Sequence, residues 1–227
     1  MPLCLWQPDK WERLRTVAAL AGETSSMVDV GGRGTEMRRL ASAPQVTSVN
    51  IESPCDVLVR PGRLPFADGA FATAVSCDVL EHLPAPHRPA HVAELLRVAH
   101  TRVVVCFPCG SDAKDQSERR LADRLATAYG VRFDFLDEHL ACGLPRPPEV
   151  VAMVRDAEPD ARVRVLFQDG VREAEQVMMD AVDAVKGHRS PAFFRSVRAW
   201  FRRRRPHLTE RASANNNRAY LVIDLPG

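Results

Sequence analysis

Asp29 ends a short apolar run and is followed by Val30-Gly31-Gly32-Arg33-Gly34. An acid at a strand end, with glycines behind it, lets the backbone turn tightly and approach a small ligand closely before a helix begins. Further on, Val46 to Glu52 reads as a second strand whose end carries Asn50, Ile51 and Glu52. Asn50 and Glu52 share one side of an extended chain. A carboxylate there accepts hydrogen bonds from ligand hydroxyls more strongly than a neutral amide does. The run Phe71 to Cys77 then delivers Asp78, and His82 follows one helical turn later. A histidine at that place can accept a proton near neutral pH.

Other reactive side chains carry weaker signals. His87 and His91 stand four apart, as two ligands on one helix face would, but the sequence offers no third and fourth partner, and no metal centre is expected. Cys106-Phe107-Pro108-Cys109 has the spacing of a redox motif, yet Cys106 closes an apolar strand instead of opening a helix. The pair is read as a strand end and a loop, with Cys109 and Gly110 lining a pocket. The remaining cysteines, at 4, 55, 77 and 142, are scattered and imply no disulfide framework.

These residues need a scaffold, and the pattern of runs describes one. Apolar runs at 27–30, 46–51, 55–59, 71–77 and 101–107 alternate with turn residues and with helical patterns such as Val92 to Ala99. Strands alternating with helices predict a parallel sheet covered on both faces. Residues 6–21 have helical spacing up to Gly22, and that helix should cover the sheet or the ligand cleft. A second helix over Asp112 to Tyr129 stops at Gly130. Prolines 145, 147 and 148 read as a further break. Two β-rich runs, 163–167 and 219–223, close the chain about fifty residues apart, far more than an ordinary connection requires. Most of that interval reads as helix, at 171–186 and 191–205.

With 227 residues and 45% apolar content the chain can bury a full core, and it is read as one domain. No run approaches a membrane span and no leader is evident, so a cytoplasmic location is expected. The net charge of +2 conceals an asymmetry. Nine of the 31 Lys and Arg fall within 186–211 against one of the 29 acids, leaving 22 basic and 28 acidic groups elsewhere. In 193–205, Phe193, Phe194, Val197, Trp200 and Phe201 alternate with arginines. That composition suits a helix docked on the sheet, contact with anionic lipid, or a grip on phosphate. Nothing upstream resembles a nucleic-acid-binding module.

Three segments in series, Asp29-Val30-Gly31-Gly32-Arg33-Gly34, Leu64-Pro65-Phe66-Ala67-Asp68-Gly69 and Asp78-Val79-Leu80-Glu81-His82-Leu83, resemble the class I S-adenosylmethionine-dependent methyltransferases of the small-molecule branch. The resemblance covers roughly residues 27–109. It implies a Rossmann-like, seven-stranded, mostly parallel sheet with an antiparallel last strand in a three-layer αβα sandwich. The single domain would span 1–227, with a helix over 1–22 and a helical insertion over 170–217. It also implies S-adenosyl-L-methionine as cofactor, held by Asp29, Gly31, Gly32, Gly34, Asn50, Ile51, Glu52, Arg63, Leu64 and Asp78. The adenine would meet backbone groups of Arg63 and Leu64, with Ile51 and Leu64 as apolar contacts. Pro65, Phe66 and the Asp68-Gly69 turn would be scaffold.

The implied reaction is methyl transfer to a small-molecule acceptor, a hydroxyl of a sugar, glycoconjugate or secondary metabolite, with His82 as its base. Phosphate-bearing and lipid-linked acceptors are included. Beyond residue 109 the chain resembles a subset of bacterial glycan-linked methyltransferases, in which His139 would orient a sugar hydroxyl or cap a helix. Arg33 and Thr35 stand where the family alternates glycines, Asn50 where it commonly has the ribose acid, and Arg60 where it has the adenine acid. These departures keep open a catalytically degenerate, cofactor-binding partner subunit. A nicotinamide-dependent oxidoreductase is the third reading, because Glu52 follows the glycines at about the distance of the ribose acid in that fingerprint.

Overall fold

The computed structural model describes residues 7–170 and 207–226. The expected helices at 171–186 and 191–205, the basic aromatic stretch at 193–205 and most of the insertion at 170–217 lie outside the described residues.

Helix α1 (Gln7–Ala21) precedes strands β1 (Met27–Val30), β2 (Val46–Asn50), β3 (Val57–Leu58) and β4 (Phe71–Cys77). Then come α2 (Arg88–Val98), β5 (Ala99–Pro108), α3 (Asp112–Tyr129), α4 (Asp134–Cys142), α5 (Pro147–Ala157), β6 (Arg162–Asp169), β7 (Leu208–Thr209) and β8 (Asn216–Asp224). They build one sheet in the order β3-β2-β1-β4-β5-β8-β6-β7. Strands β1 to β5 pair in parallel, and β8 runs antiparallel to both β5 and β6. Eight strands are present where seven were expected, because the two-residue β7 adds an antiparallel edge to β6.

The strands are apolar on both sides because both faces are covered. Along β5, Val103, Val105 and Phe107 join the core under α2 and α5, while Val104 and Cys106 meet Leu14, Val17, Ala18 and Ala21 of α1. That alternation follows from the two-residue period of a strand. Tyr220 of β8 lies fully buried on the α1 side. A third cluster, Leu121, Leu125 and Leu136, packs α3 against α4.

Local signals explain most boundaries. Gly130, at φ 62°, caps α3 in the left-handed region. Ser111 accepts the Lys114 amide at the other end of α3. Pro147 and Pro148, read as breakers, instead begin α5, where a missing amide hydrogen costs nothing and a fixed φ is preorganised. The chain leaves β1 toward β2 and β3, then returns to β4 on the other side. The carboxyl ends of β1 and β4 therefore flank the topological switch point, where open α/β sheets bind ligands.

Arg97 of α2 organises the Leu64–Asp68 loop. Its guanidinium donates to the carbonyls of Phe66 at 2.8 Å and Leu64 at 3.1 Å, to Asp68 at 2.7 Å, and to both oxygens of Glu94. Glu94 in turn accepts the Leu64 amide at 2.7 Å. Phe66 meets Phe71 edge to face, with ring centroids 4.9 Å apart. Removing the guanidinium takes a donor from two carbonyls and two carboxylates. Arg97→Met should therefore lower stability by about 1–3 kcal/mol, measured from the urea denaturation midpoint.

Candidate functional site

The glycine turn after β1 is shaped around a buried carboxyl group. Gly31 has φ 88°, and a Cβ there would come within 2.2 Å of the Val79 side chain. A Cβ on Gly32 would fall 1.8 Å from an oxygen of Asp29. Only glycine leaves room for the acid and for a ligand approaching the backbone. Asn50 ties the turn down, its side-chain amide donating to the carbonyls of Gly31 at 2.9 Å and Gly32 at 3.2 Å. Gly34, at φ 59°, packs near Pro54 in the β2–β3 connection.

A cleft with about 520 Å³ of empty space, part of it open solvent, runs along this edge. Lys10, Arg13 and Leu14 of α1 form one wall; Asp29, Gly31, Gly32, Arg33, Glu36, Cys77 and Asp78 complete the lining. Of the residues expected to hold a cofactor, it unites Asp29, Gly31, Gly32 and Asp78. The α1 cations were not anticipated, although Lys10, Arg13 and Leu14 at helical spacing are the signal that marks one face.

The other expected residues are placed differently. Glu52 is exposed on the loop after β2 and pairs with Arg33 at 2.9 Å. Ile51 is 60% exposed. Asn50 spends its amide on the glycine turn. Leu64 is buried in the core with its amide on Glu94 and its carbonyl on Arg97, so neither its side chain nor its backbone is left for an adenine. Arg63 extends into solvent, its guanidinium 3.7 Å from Asp68. Cys109 is buried, with its thiol pushed up to about 11 by burial, and Gly110 packs on the Leu144 and Pro145 carbonyls. Both face the α4–α5 connection and are absent from the cleft lining.

Two carboxyl groups face the cleft in opposite electrostatic settings. Asp78 adopts φ 56°, a left-handed conformation that aspartate tolerates better than most residues. It is gripped by Arg13 of α1 and Arg218 of β8. Burial alone would raise its pKa, but the two guanidinium charges overcome that and lower it. Asp29 has no such partner among the described residues: burial, and then the Glu36 charge, push it from 3.8 to about 7, with Lys10 opposing.

Around His82 a second group of titratable side chains forms. Its Nδ1 lies 2.5 Å from Glu138 of α4. The His139 ring centroid is 5.2 Å from that of His82, and His139 Nδ1 lies 3.3 Å from Glu118 of α3. Glu118 also receives Lys114 at 3.5 Å. Glu81 is fully buried, and burial followed by the charge of Asp78 pushes its carboxyl well above the usual range. Arg88 fixes the 3-10 turn Leu80–His82, donating to the carbonyls of Leu80, Leu83, Cys142 and Gly143. His91, considered above as a ligand, instead meets the Ser76 hydroxyl at 3.1 Å and is lowered to about 4 by burial.

No protein-family model and no curated protein matches the chain. Solved structures do. An S-adenosylmethionine-dependent methyltransferase of Thermotoga maritima is similar over 97% of this chain and 93% of its own, at 11% identity and TM-score 0.60. Geranyl diphosphate C-methyltransferase of Streptomyces coelicolor, solved with Mg2+, geranyl diphosphate and S-adenosyl-L-homocysteine, is similar over 93% and 78%, at 12% identity and TM-score 0.54. Phosphoethanolamine N-methyltransferase 2 of Haemonchus contortus, solved with S-adenosyl-L-methionine, covers 96% of this chain with 53% of its own, at 12% identity and TM-score 0.53. The shared architecture is the class I S-adenosylmethionine-dependent methyltransferase fold.

Asp29 makes a testable statement about pH. Its folded-state pKa is raised, so its contribution to stability is complete below about pH 3.8 and is lost as the pH rises through about 7. Asp29→Asn, which cannot ionise, should flatten this decline. Thermal melting between pH 5 and 8 would then fall for the parent protein and change much less for the variant.

Proposed function

We propose that the protein transfers a methyl group from S-adenosyl-L-methionine to a hydroxyl of a small-molecule acceptor. The observation that carries this reading is the carboxyl of Asp29 packed against Gly32 at the switch point of a methyltransferase-fold sheet. The contact provides an anionic partner for the amino group of the cofactor and a backbone that its methionine part can touch. The exposed Arg33–Glu52 pair adds little to stability, so a ribose can take Glu52 from Arg33 at small cost. Ile51 supplies exposed apolar surface beside it for the adenine.

When bound, the cofactor supplies a sulfonium methyl for in-line displacement. What remains for the protein is to position the acceptor and handle its proton. In our reading the acceptor hydroxyl is activated at His82, whose ring Glu138 orients. Sugars, glycoconjugates and secondary metabolites are the acceptor classes. Phosphate-bearing acceptors belong with them, because the similar Streptomyces coelicolor enzyme was solved with geranyl diphosphate and the stretch 193–205 is rich in arginine. A cytoplasmic location belongs to this reading. Among the described residues no helix is long and apolar enough to cross a membrane. The degenerate-subunit reading draws on one observation, the occupation of Glu52 by Arg33 and of Asp78 by two arginines.

Calorimetry tests the cofactor. S-adenosylmethionine and S-adenosylhomocysteine should bind with a Kd in the micromolar range, about −7 to −8 kcal/mol. The ammonium of the ligand favours ionised Asp29, so binding near pH 6 should release a proton, seen as an enthalpy that varies with the buffer's ionisation heat. Absence of binding, or tighter binding of a nicotinamide dinucleotide, defeats the proposal. For catalysis, His82→Ala should lose about 10²–10⁴-fold in turnover while retaining cofactor affinity. A lowered melting temperature with unchanged turnover would make His82 structural.

A further inference from the structure

Glu81, His82 and His139 offer one carboxylate and two imidazoles whose candidate ligand atoms all lie within 4.8 Å of one another. Three features of the cluster fit a bound cation better than an empty hydrogen-bond network. First, Oε2 of Glu81 is completely buried and has no hydrogen-bond partner among the described residues. A buried carboxylate oxygen left unpaired is rare, because it forfeits its hydration without replacement. Second, both histidines present Nδ1 to a carboxylate, His82 to Glu138 and His139 to Glu118. Carboxylates behind imidazoles in this manner fix the ring orientation and raise the basicity of the opposite nitrogen, the usual support of a metal-binding histidine. Third, neither Nε2 has a hydrogen-bond partner among the described residues.

From this geometry we infer that Glu81, His82 and His139 form a site for a divalent first-row transition cation, with Zn2+ as the fitting probe. Two imidazoles and one carboxylate with an open position are the donor set of catalytic zinc sites and of other first-row ions. An ion with ligands at about 2.0–2.1 Å holds them roughly 3.4 Å apart, so the three side chains need only close slightly around it. Glu118 and Glu138 would act behind the ligands, and Lys114 anchors Glu118 in turn. The sequence did not point here, because His139 is far along the chain and reaches His82 only when α4 packs on the turn after β4.

The inference deepens the proposed methyl transfer and rests on that reading for its role. Glu81 and His82 come three and four residues after Asp78, which lines the cleft. His82 is only half-buried, which leaves the open side of the site accessible to an acceptor. An ion held there lowers the pKa of a coordinated hydroxyl. The hydroxyl proton leaves to water, the oxygen forms its bond to the methyl carbon, and the carbon–sulfur bond breaks with its electron pair passing to sulfur. His82 then contributes to the activation of the hydroxyl as a ligand of the ion.

The test uses the full chain after chelation and dialysis, titrated with Zn2+ and separately with Co2+. We expect one tight site per chain and a Co2+ spectrum without thiolate charge transfer. Glu81→Gln and His139→Gln should each weaken binding at least 10-fold, and Glu118→Gln about 10-fold as an outer partner. His82→Gln, at the half-exposed position, provides a ligand variant least disturbing to folding. S-adenosylhomocysteine affinity should stay within twofold in all of them. Failure of the parent protein to bind Zn2+ stoichiometrically, a thiolate spectrum, or binding indifferent to these variants overturns the site. If Zn2+ binds as expected but S-adenosylhomocysteine does not, the site stands and the methyl-transfer reading fails.

Discussion

Asp78 stands in a left-handed conformation at the end of β4, gripped from one side by Arg13 of α1 and from the other by Arg218 of β8. These contacts join elements from the beginning, middle and end of the chain at one point on the carboxyl edge. Buried ion pairs are weak sources of net stability because desolvation offsets most of their attraction. Their effect here is positional: the conformation of Asp78 sets the direction in which Val79, Glu81 and His82 leave the strand. Val79 reaches the Gly31 turn, so the same conformation also bounds the glycine loop.

Asp78 and Asp29, two of the carboxyl groups lining the cleft, divide the electrostatic work. Asp78 is committed to guanidinium partners and is internally neutralised. Asp29 has no guanidinium partner among the described residues, and burial holds it near the midpoint of its titration at neutral pH. A cationic ligand group is therefore best received at Asp29, where ionisation is completed by the ligand itself. Shifts in opposite directions within one cleft are typical of sites that bind and react, since each environment selects one protonation state.

Arg88 performs for the turn after β4 what Arg97 performs for the Leu64–Asp68 loop. Both are cations of α2 whose guanidinium groups donate to backbone carbonyls of irregular segments. A single helix thus holds two irregular segments against the sheet. Arg88 also reaches the carbonyls at the end of α4, which fixes the distance between His82 and His139. The arrangement of titratable groups beside the cleft follows from backbone carbonyls in need of donors.

Much of the architecture was legible in the residues alone. The two-residue alternation and apolar runs of β1, β2, β4 and β5, the Gly130 stop of α3 and the three motifs in series led to the parallel sheet and its fold class. Asp29, Gly31, Gly32 and Asp78 were legible because they adjoin strand ends, so local sequence dictates where they emerge. The short edge β7 was not, since a two-residue strand has no periodicity of its own and exists by pairing with β6. Prolines 147 and 148 misled because the same ring that breaks a helix interior favours its first turn. The surroundings of Leu64 were not legible, because they are decided by Arg97 and Glu94, some thirty positions away. The salt bridges of Arg13 and Arg218 and the meeting of His82 with His139 depend on contacts between distant segments. Sequence determined which groups stand at the ends of strands; only the tertiary packing decided which of them are buried, neutralised or brought face to face, because charge and burial depend on neighbours that no local pattern encodes.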